Sequence, residues 1–175
     1  MKIYLIGYMG SGKSTLGYEL SNLLDIEWLD LDDEFELRYK ISITGFFQKY
    51  WETAFRDLEH KLLVEFSSFP DIVISTGGGT PCFFSNMELM NKTGITIYLS
   101  ASPELLLSRI EQSVRKRPLF QLMKDGNQLQ NIAQHLSTRE LYYKKAQITI
   151  DAQTPDIQNL KTLIRNYQGI LPPSE

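Results

Sequence analysis

A chain of 175 residues with a formal net charge of −3 has room for one full hydrophobic core and exerts no global attraction on nucleic acid or an anionic membrane. Its 42% hydrophobic and 22% charged residues are the balance of a soluble globular protein, not of a disordered or membrane-embedded one. The single cysteine, Cys82, excludes an intrachain disulfide, and no apolar run approaches the length of a membrane span, so a cytoplasmic protein is expected.

The first predicted element is a short, apolar, β-branched strand at about 2–6. Residues 3–9 are too short for a signal-peptide core, and a glycine loop with a lysine follows instead of a small-residue cleavage site. That loop, Gly7-Tyr8-Met9-Gly10-Ser11-Gly12-Lys13-Ser14-Thr15, matches the phosphate-binding pattern G-x-x-x-x-G-K-[ST] in full. Glycines there let backbone N–H groups close around phosphate oxygens, and a following helix adds its positive end. Lys13 supplies a point charge to β- and γ-phosphates and the Ser14 hydroxyl a ligand for Mg²⁺; Gly10, Ser11, Gly12 and Thr15 complete the candidate cradle. The alternative is a Gly-rich turn that binds nothing.

Leu16, Leu20, Leu23 and Leu24 recur at helical spacing, predicting a helix over about 13–24. A second strand at 26–29 ends in Asp30-Leu31-Asp32-Asp33, and a short helix carrying Phe35, Leu37 and Ile41 follows, with Asp32 or Asp33 as its N-cap in a box-like pattern with Glu36. Residues 42–51 read as aromatic-rich and irregular around Gly45. A helix over about 52–67 presents Phe55, Leu58, Glu59, Leu62 and Phe66; the strand 71–75 runs into Thr76-Gly77-Gly78-Gly79-Thr80-Pro81. A helix near 84–92, a strand at 95–99 and a helix opened by Pro103 complete the first two-thirds. Residues 113–126 break this rhythm with Arg115, Lys116, Arg117 and Lys124. A long helix over 127–145, a strand at 147–150 and a final helix capped by Thr154 follow, and the tail 169–175 is predicted to be disordered.

Strands alternating with helices predict a three-layer α/β/α fold around a parallel sheet of about five strands, in one domain over 1–168. Ligands of such sheets lie beyond the carboxyl ends of the strands. The phosphate loop, Asp30 and Asp32, the turn 77–79 and the residues after Leu99 all lie at such ends and are expected to share one crevice. Asp30 and Asp32 are two apart at a strand end, so both face the crevice only if the pleat is broken or each meets a different ligand.

The loop 7–14, Asp30-Leu31-Asp32, Phe55-Arg56-Asp57-Leu58-Glu59, Ser75-Thr76-Gly77-Gly78-Gly79, Arg117-Pro118-Leu119, and Arg139 a few residues before a tyrosine pair together resemble the shikimate kinases, in order and over about 1–150. The resemblance implies a P-loop kinase fold with a mobile lid at about 113–126 and transfer of the ATP γ-phosphoryl group to the 3-hydroxyl of shikimate, with Mg²⁺, in the route to aromatic amino acids. It implies Asp30 near the metal through water, Asp32 on the substrate hydroxyls, and Ser75 on a metal-bound water. It implies Arg56, Gly77, Gly78, Gly79 and Arg139 around the substrate, and Arg117 reaching the transferring phosphate. After the last strand the family often has basic residues near the adenine; Asp151-Ala152-Gln153-Thr154-Pro155 has none, which leaves Arg109 as the candidate. Lys13, Asp32 and Arg117 are the expected catalytic residues, and a monomer with no nucleic-acid or membrane partner is expected.

Each role has a plainer counterpart: a turn serine for Ser75, a solvated basic loop for 113–126, and for Arg56 pairing with Glu52 or Glu59 along its own helix. In the helix 127–145 the apolar stripe Ile132, Leu136, Tyr143 takes in Arg139, whose guanidinium needs an anion there. His60, His135 and Cys82 are read as packing or surface residues without chemistry. A gluconate kinase on the same fold is the nearest enzymatic rival, and an idle nucleotide-binding module the rival of another class. A GTPase switch is disfavoured, since the only Asn-Lys, Asn91-Lys92, continues Thr93-Gly94.

Overall fold

The computed structural model describes residues 1–113 and 127–168. Arg117 and nearly all of the expected lid, and the tail 169–175, lie outside the described residues. Five strands, β1 (Lys2–Ile6), β2 (Glu27–Asp30), β3 (Ile72–Ser75), β4 (Ile95–Ser100) and β5 (Ile148–Asp151), form one parallel sheet in the order β2-β3-β1-β4-β5. The helices described are α1 (Lys13–Leu24), α2 (Leu31–Tyr39), α3 (Ile43–Lys49), α4 (Glu52–Phe66), α5 (Asn86–Thr93), α6 (Pro103–Gln112), α7 (Gln128–Tyr143) and α8 (Ile157–Gln168), with a 3₁₀ turn at Thr80–Cys82.

Alternation along each strand divides the core in two. Ile3 and Leu5 of β1 face a cluster with Leu16 and Leu20 of α1 and Leu160 and Ile164 of α8. Tyr4 and Ile6 face the other side, with Phe35 of α2, Phe55 and Leu62 of α4, Leu106 of α6 and Ile132 of α7. Residues 3–6 are fully buried, as expected of a central parallel strand covered on both faces. Register aligns Leu5 with Ser75 and Ser75 with Asp30, so the ends of β1, β3 and β2 open at one level. The sheet thus delivers the phosphate loop, Asp30 and the glycine turn to a common edge.

Three local expectations are corrected. Residues 43–49 are helical, not irregular, because the Ser42 hydroxyl accepts the Gly45 N–H at 3.0 Å as a side-chain cap and Phe46 packs into the aromatic core. The cap of α2 is Asp30, not Asp32 or Asp33: its Oδ1 accepts the N–H groups of Asp32 (3.0 Å) and Asp33 (3.4 Å), while Glu36 accepts the N–H of Ile43 instead of closing a box. The last helix starts at Ile157 and is capped by Asp156, whose Oδ1 accepts the Asn159 N–H; Thr154 stands before Pro155, and a residue before proline is disfavoured in the helical region. Within α2, Phe35 is buried and Leu37 is exposed.

Candidate active site

The loop between β1 and α1 turns on Gly12, the N-cap residue of α1, at φ +99°, a left-handed conformation strained for any side chain. No side chain caps α1, so its first N–H groups and its positive end face the loop's concavity. The Lys13 ammonium is held over the loop by the carbonyls of Gly7 (2.8 Å) and Tyr8 (3.0 Å). Ser11 Oγ is buried with no hydrogen-bond partner, the one such side-chain atom among the described residues. The Ser14 hydroxyl donates to Asp30 Oδ2 at 2.5 Å, so a single carboxylate both caps α2 and marks the end of the phosphate loop.

Ser11, Gly12, Lys13, Ser14 and Asp30 line a cavity of about 620 Å³ with Asp32, Thr76, Gly78, Leu99, Arg109, Ser113, Ala152 and Pro155. Arg109, from α6, closes one side: it donates to the carbonyls of Ser11 (3.0 Å) and Ala152 (2.9 Å), fastening the phosphate loop to the segment after β5. The structure therefore brings Gly10, Ser11, Gly12, Lys13, Ser14, Thr15, Asp30, Asp32, Gly78 and Arg109 to this cavity, whereas Gly77, Gly79, Arg56 and Arg139 do not line it. An uncapped helix start, an orphaned buried hydroxyl and a lysine above the loop fit the phosphates of a nucleotide. The hard-oxygen pair Ser14 and Asp30 fits Mg²⁺; no cluster of three or more His, Cys, Asp or Glu that could hold a metal occurs among the described residues, so the remaining ligands would come from phosphate and water.

Behind the turn 77–79 lies a second, more heavily charged region. Arg56 is 4% exposed and donates to Glu59 Oε2 (2.8 Å) and Glu52 Oε1 (2.9 Å), with its guanidinium over the rings of Phe83 (4.3 Å) and Phe55 (5.0 Å). Burial opposes that charge, but Glu59 and Glu52 outweigh it and hold the pKa above the ordinary arginine value. Both ion pairs named as the plainer reading of Arg56 are therefore formed. Thr80 Oγ1 donates to the other Glu59 oxygen at 2.6 Å, which ties α4 to the glycine turn. A Cβ on Gly79 would stand 2.5 Å from Arg56 Nη2, so only glycine leaves room for the guanidinium. Positions 77 and 78 place the turn against the carboxylates of Glu59 and Asp32 and within reach of Arg139.

Arg139, 7% exposed, has no carboxylate partner among the described residues. It lies over the ring of Tyr8 at 5.8 Å and meets the hydroxyl of Tyr143, which itself donates to the Gly78 carbonyl at 2.5 Å. Burial pushes the Tyr143 hydroxyl well above the ordinary tyrosine range, so it acts as a neutral donor. Cys82 is likewise pushed up by burial, with Arg139 and Arg56 opposing, and stays a thiol.

Ser75 is placed differently from expectation. Its hydroxyl is fully buried, donates to the Lys13 carbonyl at 3.0 Å and accepts from Trp28 Nε1 at 3.0 Å; it joins β3 to the first turn of α1 and does not line the cavity. Tyr143 and the Tyr8–His135 pair are site neighbours to which sequence reasoning gives no role, and Glu59 is named there only as a partner for Arg56 and not for Thr80. For Glu59 a signal existed, since it stands three residues from Arg56 and on the apolar face of its helix.

A parallel sheet in this order, with a glycine loop feeding a helix at the end of its central strand and a charged acceptor region beside it, defines a P-loop kinase. The family model described as shikimate kinase matches residues 9–167. A shikimate kinase of Parabacteroides distasonis is 44% identical over 153 residues, covering 87% of this chain and 88% of its own length. One of Bacteroides fragilis is 40% identical over 172 residues, covering 98% and 96%. The solved shikimate kinase of Acinetobacter baumannii in complex with shikimate superposes with a TM-score of 0.83 at 34% identity, covering 98% of this chain and 95% of that one. The chain belongs to the shikimate kinase family, ATP-dependent enzymes that phosphorylate shikimate.

Proposed function

We propose that this chain transfers the γ-phosphoryl group of ATP to the 3-hydroxyl of shikimate, with Mg²⁺, as a cytoplasmic monomer serving aromatic amino-acid biosynthesis. The observation that carries the assignment of the two substrates is the turn 77–79. On one side it abuts the phosphate-loop cavity through Gly78; on the other it touches Arg56, Glu59 and Asp32 and approaches Arg139.

Phosphoryl transfer relies on positioning and on stabilising charge at the transferring group. Gly10 to Thr15 hold the phosphates by main-chain N–H groups, and Lys13 moves its ammonium from the Gly7 and Tyr8 carbonyls to phosphate oxygens. Ser14, with Asp30 beside it, would hold Mg²⁺, which would supply positive charge to the nucleotide's phosphates. Asp32, half-buried on the cavity wall, orients the acceptor hydroxyl and is placed to take its proton. Arg139 and Arg56 hold the substrate carboxylate through planar forks, Arg139 contributing the charge not already matched by a carboxylate among the described residues. Arg109 borders the nucleotide's base end, and Arg117 is assigned to the transferring phosphate on the family resemblance alone.

The test is ADP release, coupled to a chromogenic readout, with ATP and Mg²⁺ and a panel of shikimate, gluconate and nucleoside monophosphates. Shikimate-dependent turnover with no response to the others is expected. A response to gluconate alone would transfer the chain to the rival kinase class, and nucleotide binding without turnover on any acceptor would make it an idle module.

A further inference from the structure

Tyr8 occupies a position of the phosphate loop at which the motif sets no side chain, yet its phenol is almost fully buried. The phenol oxygen lies 2.7 Å from His135 Nδ1, and the two rings meet edge to face at 5.5 Å and 82°. His135 stands on α7 one turn before Arg139, on the same face. The Arg139 guanidinium lies over the face of the same Tyr8 ring. One loop side chain thus touches two successive turns of the helix that carries the carboxylate-binding cation.

The bond is neutral on both sides. Burial holds the Tyr8 phenol up at about 12, against the pull of Arg139, so it keeps its proton. Burial and then the Arg139 charge hold His135 down at about 4, so its ring carries a free lone pair at neutral pH. A charged imidazole would place a second cation one turn from Arg139; the neutral ring leaves Arg139 as the single charge on this face of α7.

We propose that Tyr8 and His135 are positioning residues that set the distance between Arg139 and the phosphate loop. The substrate carboxylate then meets Arg139 at a defined place beside the loop, so the pair acts on how tightly the substrate is gripped. The proposal rests on the reading of Arg139 as the carboxylate clamp. Nothing in phosphate binding requires the Tyr8 hydroxyl, so its removal should act on the acceptor and spare the nucleotide.

The experiment uses Tyr8→Phe, His135→Phe and His135→Asn, with wild type and Arg139→Ala as references, in steady-state assays varying shikimate and ATP separately. Tyr8→Phe removes one oxygen and keeps the ring beneath Arg139. Asparagine keeps an acceptor near the position of Nδ1. Tyr8→Phe and His135→Phe should raise the shikimate KM about fivefold, the weight of one neutral hydrogen bond (about 1 kcal/mol), with ATP KM and kcat changed by less than about twofold. His135→Asn should restore the shikimate KM to near the wild-type value. An unchanged shikimate KM in Tyr8→Phe, an ATP KM rising in step, or an asparagine variant as impaired as the phenylalanine one each overturns the proposal. If His135→Phe does not fold, Tyr8→Phe decides alone. A wild type inert on shikimate, or an Arg139→Ala variant with normal shikimate KM, would instead bring down the functional reading beneath it, which keeps the two failures apart.

Discussion

Residues 7–15 offer a ligand their backbone, whereas the region across the turn 77–79 offers charged side chains drawn from α2, α4 and α7. The first region is one contiguous stretch at the end of a fully buried strand, and its geometry comes from a left-handed glycine and an uncapped helix. The second has no contiguous motif, and its geometry comes from pairing: Glu52 and Glu59 grip Arg56, and Thr80 grips Glu59. Backbone binding needs few side chains, since every residue carries the same N–H. Side-chain binding must fix each rotamer separately, and the acceptor region does so with a preformed ion-pair network of Glu52, Arg56 and Glu59. Within the acceptor region the two arginines differ again. Arg56 has two carboxylate partners, and Arg139 has none among the described residues.

The largest expected effect is at the side chain on which the phosphate loop does depend. Lys13→Ala should lower kcat by about a thousandfold or more, roughly 4 kcal/mol at 1.36 kcal/mol per decade, while circular dichroism shows a folded protein. Full activity in that variant would leave the contrast one of backbone against side chain with no exception, and would sink the reading of the loop as the place where phosphoryl transfer is catalysed.

Asp32→Asn comes next. It keeps the shape of the side chain and removes its charge and basicity. A kcat loss of about a hundredfold, within the usual range for a positioned acid–base group, is expected with ATP affinity intact. Wild-type turnover would reduce Asp32 to a structural residue of the second turn-facing cluster. The cap itself offers it no such role, since Asp30 fills that place.

The arginines should part company in the third test. Arg139→Ala should raise the shikimate KM about a hundredfold, some 2.7 kcal/mol, with little change in the ATP KM. Arg56→Ala leaves Glu59 buried without its cation, so it should lower stability by about 3–5 kcal/mol, read as a fall in urea midpoint, besides weakening shikimate binding. Shikimate methyl ester, which lacks the negative charge, should be a poor substrate for the wild type. Equal phosphorylation of ester and acid would show that neither arginine meets a carboxylate.

How legible these features were in the amino-acid order follows the same division. The phosphate loop could be read because its parts are adjacent, and the five strands because buried parallel strands are short apolar runs between glycine-rich turns. Helix α3 could not, because Gly45 reads as a breaker until the Ser42 cap that needs its N–H is seen. The cap of α2 reads from the sequence as Asp32 or Asp33, because their spacing to Glu36 looks like a capping box, whereas Asp30 accepts both of their N–H groups and Glu36 turns to Ile43. The meeting of Tyr8 with His135, 127 positions apart, left no local trace at all. Arg139 was legible as an anomaly, a cation on an apolar stripe, and the structure adds that two tyrosines flank it.

The smallest effect concerns Ser75, where the family resemblance and the structure assign different work. A serine that orients a metal-bound water acts on kcat and on the Mg²⁺ requirement. The Ser75 hydroxyl instead spans from Trp28 Nε1 to the Lys13 carbonyl, behind the phosphate loop and away from the cavity wall. Gly17 of α1 lies against both partners, for a Cβ there would stand 2.5 Å from each of Ser75 Oγ and Trp28 Nε1. The three residues therefore pack as one joint between β2, β3 and α1. Ser75→Ala removes two neutral hydrogen bonds and leaves a part-buried indole N–H to find water, which should cost about 1–2 kcal/mol, or about 2–8 °C in Tm for a chain of this size. The kcat should stay within about threefold of wild type and the Mg²⁺ concentration for half-maximal rate should not move, since neither reporter depends on that joint. A hundredfold loss of kcat with a raised Mg²⁺ requirement and an unchanged Tm would reverse the assignment, returning Ser75 to the metal and leaving Trp28 as a packing residue only.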